Sequence, residues 1–383
     1  MALNDLCERA RTARRFGIDT EFVGEGRYRT LLCVVQIVVS DDDGLEVVVL
    51  DALDESLDLT PLAGLLADPH VAVVVHAGRQ DVALLRRHLQ TEVTSLFDTQ
   101  VAAGFAGLSA QAGYETLLRE VLSVRVQKTA SYTRWDRRPL DAEQLAYARE
   151  DVVHLLELAT ALERRLQADG RLAWALEECR PLEGVSDVRD VDTVFARLPR
   201  VNSLSSSARA IARELVRWRE EVAERQDRPV TTVLNDAALV ELAKRAPRTP
   251  EQLEQIRGVN PGSLRRRGVD LLATIAHGAT LPPIPAEVER HEPSSPLDGP
   301  QIALAEAFVR ARALETGLAY ELIAARADLS AIVASVRSGH REPDVRTLTG
   351  WRRELIGDDL IALLRGEHSV AVGPDGRLSI KST

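Results

Sequence analysis

Two hydrophobic periods alternate along this chain, and the change from one to the other divides it. Leu31 to Val39 is a nearly unbroken run of Leu and Val, which reads as a strand buried on both faces. Just before it, Phe16 to Phe22 is apolar except for Asp19 and Glu21. In a strand those two carboxylates, two residues apart, share one face, and Ile18, Thr20 and Phe22 take the other. Asp41-Asp42-Asp43-Gly44 is a hairpin-type loop leading into a third strand, Leu45 to Leu50. Pro61 to Ala67 predicts a short helix and Val71 to Val75 a buried strand. Gly78 to Leu89 predicts a helix with Val82, Leu85 and Leu89 on one face. Three strands in meander order followed by strand–helix alternation predict an α/β domain with a mixed sheet.

Beyond that point the helical period dominates, first from Ala142 to Leu166. Pro181 to Pro199 is polar and reads as irregular, which places a boundary near Asn202. Ser203 to Ser207 offers N-caps for a helix reaching about Arg225, and 204–278 is helical throughout, punctuated by Pro229, Pro247 and Pro250. Six prolines between Leu281 and Pro300 make a semi-rigid linker. Helices resume at Gln301 to Leu314 and Asp344 to Leu355, and Val370 to Ile380 reads as a hairpin. The expected domains are 1–202, 203–280, a proline-rich linker 281–300, and 301–383.

A length of 383 residues suits two or three domains at about 150 residues each. The net charge of −10 argues against a nucleic-acid partner only until it is divided by region. Residues 205–280 hold thirteen basic and ten acidic side chains, a net of +3, which leaves −13 elsewhere. Lys occurs only at 128, 244 and 381, so the cations are almost all Arg. Arg suits bidentate phosphate contacts, and a coding bias toward Arg explains the same skew. Cys7, Cys33 and Cys179 are odd in number and far apart. They argue against a disulfide framework, a disulfide-linked partner and a zinc site, and for a reducing cytoplasm. The opening Met1 to Asp5 has no signal-peptide pattern, and no uncharged apolar run approaches the roughly 18 to 20 residues of a membrane span.

Candidate chemistry begins with Asp19 and Glu21. Two like charges side by side in an apolar strand call for a cation between them, and carboxylate oxygens suit magnesium or manganese. The alternative is an edge strand with a wet acidic face. His76-Ala77-Gly78-Arg79-Gln80-Asp81 follows a buried strand and opens a helix, the end of a sheet where ligands sit. There Asp81 serves either the site or the helix dipole, and His76 either a ligand or the local structure. Tyr147 and Asp151 are four apart and share a helical face, as site residues or as a surface Tyr–Asp pair.

Asp-x-Glu on a first strand, His-x-x-x-x-Asp after a later strand and Tyr-x-x-x-Asp on a helix resemble the three motifs of the DEDD exonuclease superfamily. The tyrosine marks the branch that includes the ribonuclease D family. Lys128 and Trp135-Asp136-Arg137-Arg138-Pro139-Leu140 are similar to that family too. Thr133-Arg134 stands where the family usually has a small residue and an acid. Leu215 to Glu220, with Ala223, Pro229 and Val233-Leu234, resembles the HRDC module shared by RecQ-type helicases and ribonuclease D, and 296–383 resembles a second, divergent copy.

The resemblance implies an RNase H-like α/β exonuclease domain followed by two all-α HRDC-type domains. It also implies a 3′-5′ exoribonuclease that trims transfer-RNA precursors and other small structured RNAs to nucleoside 5′-monophosphates. Two Mg2+ or Mn2+ ions about 3.5 to 4 Å apart stabilise the attacking and leaving oxygens in such chemistry. By the same resemblance Asp19 bridges both ions, Glu21 and Asp151 serve one, and Asp81 acts through water on the other. Tyr147, with an ordinary pKa of about 10, orients the attacking water. Lys128, Arg138, Trp135 and His76 are the candidate substrate contacts. Arg217, Arg219 and Arg265-Arg266-Arg267 are candidates to track a phosphate backbone. The competing readings are a DNA 3′-5′ exonuclease and a catalytically idle nucleic-acid scaffold.

Overall fold

Strands β1 (Arg15–Val23), β2 (Leu31–Asp41), β3 (Gly44–Asp51), β4 (Ala72–Val75) and β5 (Leu96–Asp98) form one sheet in the order β3-β2-β1-β4-β5. These come from a computed structural model that describes residues 3–126, 134–256, 258, 261–286, 295–339 and 341–382. β2 and β3 are antiparallel, with Asp41 opposite Gly44 at the hairpin end, whereas β1 with β4 and β4 with β5 are parallel. The sheet is therefore mixed, as the strand and helix order predicts. Leu32 to Val39 is buried throughout, the burial expected of a central strand covered on both faces.

Helices α1 (Leu3–Ala13), α2 (Thr60–Leu66), α3 (Arg79–Leu89), α4 (Thr99–Phe105), α5 (Tyr114–Leu117), α6 (Ala142–Val153), α7 (Leu155–Ala168) and α8 (Leu172–Glu183) surround the sheet. The single helix expected over 142–166 is two helices, broken at His154, where φ is −103° and ψ 3°. The break lets α7 bury Leu155, Leu158, Ala159, Leu162 and Leu166, while α6 buries only Gln144, Ala148 and Val152. Close approach of α7 to the sheet explains Gly17. A Cβ there would lie 2.6 Å from Val38 Cγ1 and 3.1 Å from Leu155 Cδ2.

The chain packs as two compact units. One comprises Met1–Glu21, Val34–Ser186 and His291–Thr383, and the other Phe22–Cys33 with Asp187–Arg290. In the first, helices Asp298–Thr316, Tyr320–Ile323, Arg326–Ser338 and Asp358–Leu364 share a hydrophobic core with α4, α7 and the sheet. Trp351 is fully buried there, its ring 4.9 Å from Phe105 and 5.5 Å from Trp174, and its indole N–H donates to Glu178. The helix expected from 301 starts at Asp298, because Pro300 in its first turn needs no N–H partner. The helix expected over 344–355 is instead a series of short turns. Asp328 captures the Thr347 N–H and hydroxyl, and Gly350 adopts a left-handed φ of +51°. The C-terminal hairpin, His368–Val372 with Leu378–Ser382, is as expected.

In the second unit Ser205 caps the helix Ser206–Arg225, as the serine run predicts. Leu215, Ala223, Leu239, Leu242, Leu271 and Ile275 form its core. Residues 181–199 are not irregular throughout. Pro181 lies in the last turn of α8, and Val191–Ala196 is a helix capped by the Asp190 carboxylate. The connector 22–33 joins this unit through Tyr28, whose hydroxyl donates to Glu220. Among the described residues, no helix is long and apolar enough to cross a membrane.

Candidate active site

Strand alternation sets up the acidic pair. Ile18 and Thr20 are buried on one face of β1, while Asp19 and Glu21 are half-buried on the other. α6 then brings Asp151 to them, one helical turn from Tyr147. Carboxylate oxygens of Asp19, Glu21 and Asp151 all lie within 4.8 Å of one another. Asp81, in the first turn of α3, is 8% exposed and accepts a hydrogen bond from the Thr20 hydroxyl. Asp81 stands outside the tight three-residue group, yet its charge is felt at both Asp19 and Glu21. The three sequence motifs therefore converge at the ends of the parallel strands.

Burial and mutual repulsion dominate the electrostatics. Burial, then the charges of Asp81, Asp151 and Glu21, hold the Asp19 carboxyl well above the usual carboxylate range. Burial and the neighbouring Asp151 and Asp81 push Glu21 up to about 8. Asp151 is raised to about 7, chiefly by burial, against the opposing effect of the Tyr147 hydroxyl. Burial also raises Asp81, opposed by its bond from Thr20. Among the described residues, none of the four forms an ion pair.

Residues 1–167 match the 3′-5′ exonuclease family and residues 208–275 the HRDC domain. Ribonuclease D of Granulibacter bethesdensis is 37% identical over 97% of this chain and 92% of its own length. That of Gluconacetobacter diazotrophicus is 34% identical over 98% of this chain and 93% of its own. The chain belongs to the ribonuclease D family. The crystal structure of Escherichia coli RNase D, an exoribonuclease involved in structured RNA processing, superposes with a TM-score of 0.79 at 26% identity, covering 95% of this chain and 96% of that one.

The protein is thus a 3′-5′ exonuclease of the ribonuclease D type with an HRDC domain. The family implies divalent metal ions, and the donor set fits them. Three carboxylates within 4.8 Å supply hard oxygen ligands whose charges no cationic side chain offsets among the described residues. A cation there lowers every one of the raised pKa values.

Several expected substrate contacts are placed differently from the sequence expectation. Trp135 is 5% exposed, with its ring 6.1 Å from that of Tyr147, so it packs behind the tyrosine and offers no open face for stacking. The Arg138 guanidinium binds both Asp51 oxygens and donates to the Trp135 carbonyl at 2.7 Å. Arg219 is 1% exposed and bonds to the Leu234 carbonyl and, at 2.6 Å, to Asp236. It holds the second unit together and cannot track a phosphate backbone. Arg217 is half-buried and pairs with Glu214; Arg266 is exposed; Arg267 donates to Gln226. Lys128 and the Arg265 side chain lie outside the described residues.

Tyr114, Asp98 and Thr99 escaped the sequence reading. The Tyr114 ring packs on His76 at 5.5 Å, and its hydroxyl is buried in the field of Asp151 and Asp19. Asp98 is 2% exposed and accepts from Ala77 N at 3.0 Å, from Gly78 N at 2.9 Å and from Gln100 N at 2.8 Å. It thereby caps α4 and holds Ala77 in a left-handed φ of +53° just ahead of Asp81. An Asp before a helix signals a cap in sequence; its grip on a turn twenty residues earlier does not show there.

Proposed function

We propose that Asp19, Glu21, Asp81 and Asp151 hold two divalent ions, Mg2+ or Mn2+, and that Tyr147 acts with them to hydrolyse the last phosphodiester of an RNA 3′ end. The observation that carries this is the convergence of half-buried carboxylates from β1 and α6, with the charge of Asp81 of α3 felt beside them. Bound divalent ions supply charge stabilisation for the attacking and leaving oxygens and lower the pKa of water. Asp19 would serve both ions, Glu21 and Asp151 would serve one, and Asp81, bonded to Thr20, would reach the other through water. Burial and the neighbouring carboxylates raise the Tyr147 phenol further above its ordinary value, so it stays protonated at neutral pH. It therefore positions the attacking water and does not deprotonate it. Release of a nucleoside 5′-monophosphate exposes a new 3′ hydroxyl and renews the substrate.

The described role of the E. coli enzyme in structured RNA processing supports transfer-RNA precursors and other small structured RNAs as substrates. The HRDC domain, with Arg217, Arg266 and Arg267 at its surface, would hold the RNA body. The functional regions proposed along the sequence are 1–202, 203–280, 281–300 and 301–383, with the last packed into one compact unit with the nuclease sheet. The test is digestion of a 5′-labelled, 3′-extended transfer RNA with magnesium. The expected result is a ladder descending one nucleotide at a time, with Asp19→Asn and Asp151→Asn reduced to background. An Asp19→Ala protein as active as the wild type overturns the assignment.

A further inference from the structure

Asp98 and Thr99 together grip the turn between β4 and α3, and Thr99 reaches the His76 side chain there. Its Oγ1 donates to the Val75 carbonyl at 3.1 Å and lies 3.0 Å from His76 Nδ1. A hydroxyl has one proton, and a carbonyl can only accept. The proton is thus committed to Val75, and His76 Nδ1 must carry the hydrogen in the second bond. With that hydrogen on Nδ1, the neutral imidazole leaves a lone pair on Nε2. Nε2 makes no hydrogen bond among the described residues, and His76 is half-buried.

His76 directly follows β4, whose Val74 pairs with Gly17, two residues before Asp19 on β1. Tyr114, against which the imidazole packs, feels the charges of Asp151 and Asp19. A lone pair in that position repels phosphate oxygens and requires a donor. The end of an RNA offers two kinds, ribose hydroxyls and the exocyclic amines of some bases. An enzyme that removes every base in turn cannot depend on an amine that only some bases carry.

We propose that His76 Nε2 accepts a hydrogen bond from a ribose hydroxyl of the 3′-terminal nucleotide, with Thr99 as the positioning residue that fixes the tautomer. This rests on the reading of the acidic cluster as the exonuclease site, and it gives that site a means of recognising the terminal sugar. If the hydroxyl is the 2′ one, the same bond separates RNA from DNA.

The experiment uses oligoribonucleotides that are identical except for a last nucleotide that is ribo, 2′-deoxy or 3′-deoxy. The rate constant for removing that nucleotide, kcat/KM, is measured with the full-length wild type, His76→Phe, Thr99→Val and Thr99→Ser. On the wild type, losing the recognised hydroxyl costs about tenfold, as for one hydrogen bond. The arm that slows identifies which hydroxyl it is. In His76→Phe and Thr99→Val the ratio between ribo and deoxy ends falls to about one, and Thr99→Ser restores it. A ratio that persists in His76→Phe, or a wild type indifferent to both deoxy ends, overturns the proposal. Uniform loss on all three ends in His76→Phe overturns it as well, by making the histidine merely structural, while the exonuclease reading survives. A wild type inactive on every substrate overturns both.

Discussion

Asp19, Glu21 and Asp151 are protonated more readily in the folded protein than in the unfolded chain, and this has a definite sign. Glu21 titrates at about 8 and Asp151 at about 7 when folded, against about 4.3 and 3.9 for ordinary Glu and Asp. Between those values the folded state binds more protons, so its stability falls as pH rises. The contribution is fully present below the unfolded values and is lost through the folded ones. The melting temperature of the metal-free protein should therefore fall between about pH 5 and pH 8. The fall should be smaller in a triple variant, Asp19→Asn with Glu21→Gln and Asp151→Asn. Calorimetry in a chelating buffer checks this, and equal pH dependence of the two proteins contradicts it. Tyr147 acts differently: it stays protonated, and Tyr147→Phe should lower kcat by about 100-fold, the order of cost of a misplaced reactant. Manganese affinity should be unchanged, which titration calorimetry reads directly.

β2 shows how much of an element its sequence can express. Its Leu and Val run announces a central strand, and the strand is central. The run also hides a flaw. Gln36 is fully buried, and neither its amide nitrogen nor its oxygen has a partner among the described residues. Gln36→Met should raise stability by about 1 kcal/mol, because an unsatisfied buried amide costs at least that much. Chemical denaturation measures it, and a loss of stability would point to a partner for the amide. On β1 the alternation of Asp19 and Glu21 was legible because burial and charge repeat with the strand period. The break at His154 was not, since neither Gly nor Pro marks it and packing of α7 on Gly17 imposes it from outside. Arg219 misled for a similar reason. Within its helix it reads as a surface cation, and only the partner Asp236, seventeen residues on, explains its burial. Asp98 and Thr99 belong here too, as residues whose second role depends on strands paired in space.

At the scale of the whole molecule, the sequence suggested that the C-terminal helices form an accessory module. In the structure they pack into the same compact unit as the sheet. Trp351 stacks on Trp174 and meets Phe105 edge to face, Arg352 lies 4.4 Å over the Trp351 ring, and the Arg171 guanidinium donates to the Phe105 and Thr316 carbonyls. Trp351→Ala should destabilise that unit by about 3 to 5 kcal/mol, the cost of emptying a buried tryptophan site. Truncation before residue 298 should expose the α4 and α7 core and render the nuclease part insoluble. A soluble, cooperatively melting truncation product would show that the shared core is dispensable.

The central claim is that carboxylates from separate stretches of the chain cage divalent cations where an RNA end is cut. Anomalous diffraction from crystals grown with manganese tests it most directly. The account predicts anomalous peaks bounded by Asp19, Glu21 and Asp151, with Asp81 on their far side, and their loss in Asp19→Asn crystals. Peaks only elsewhere, or none at millimolar manganese in a protein that still degrades RNA, would contradict it.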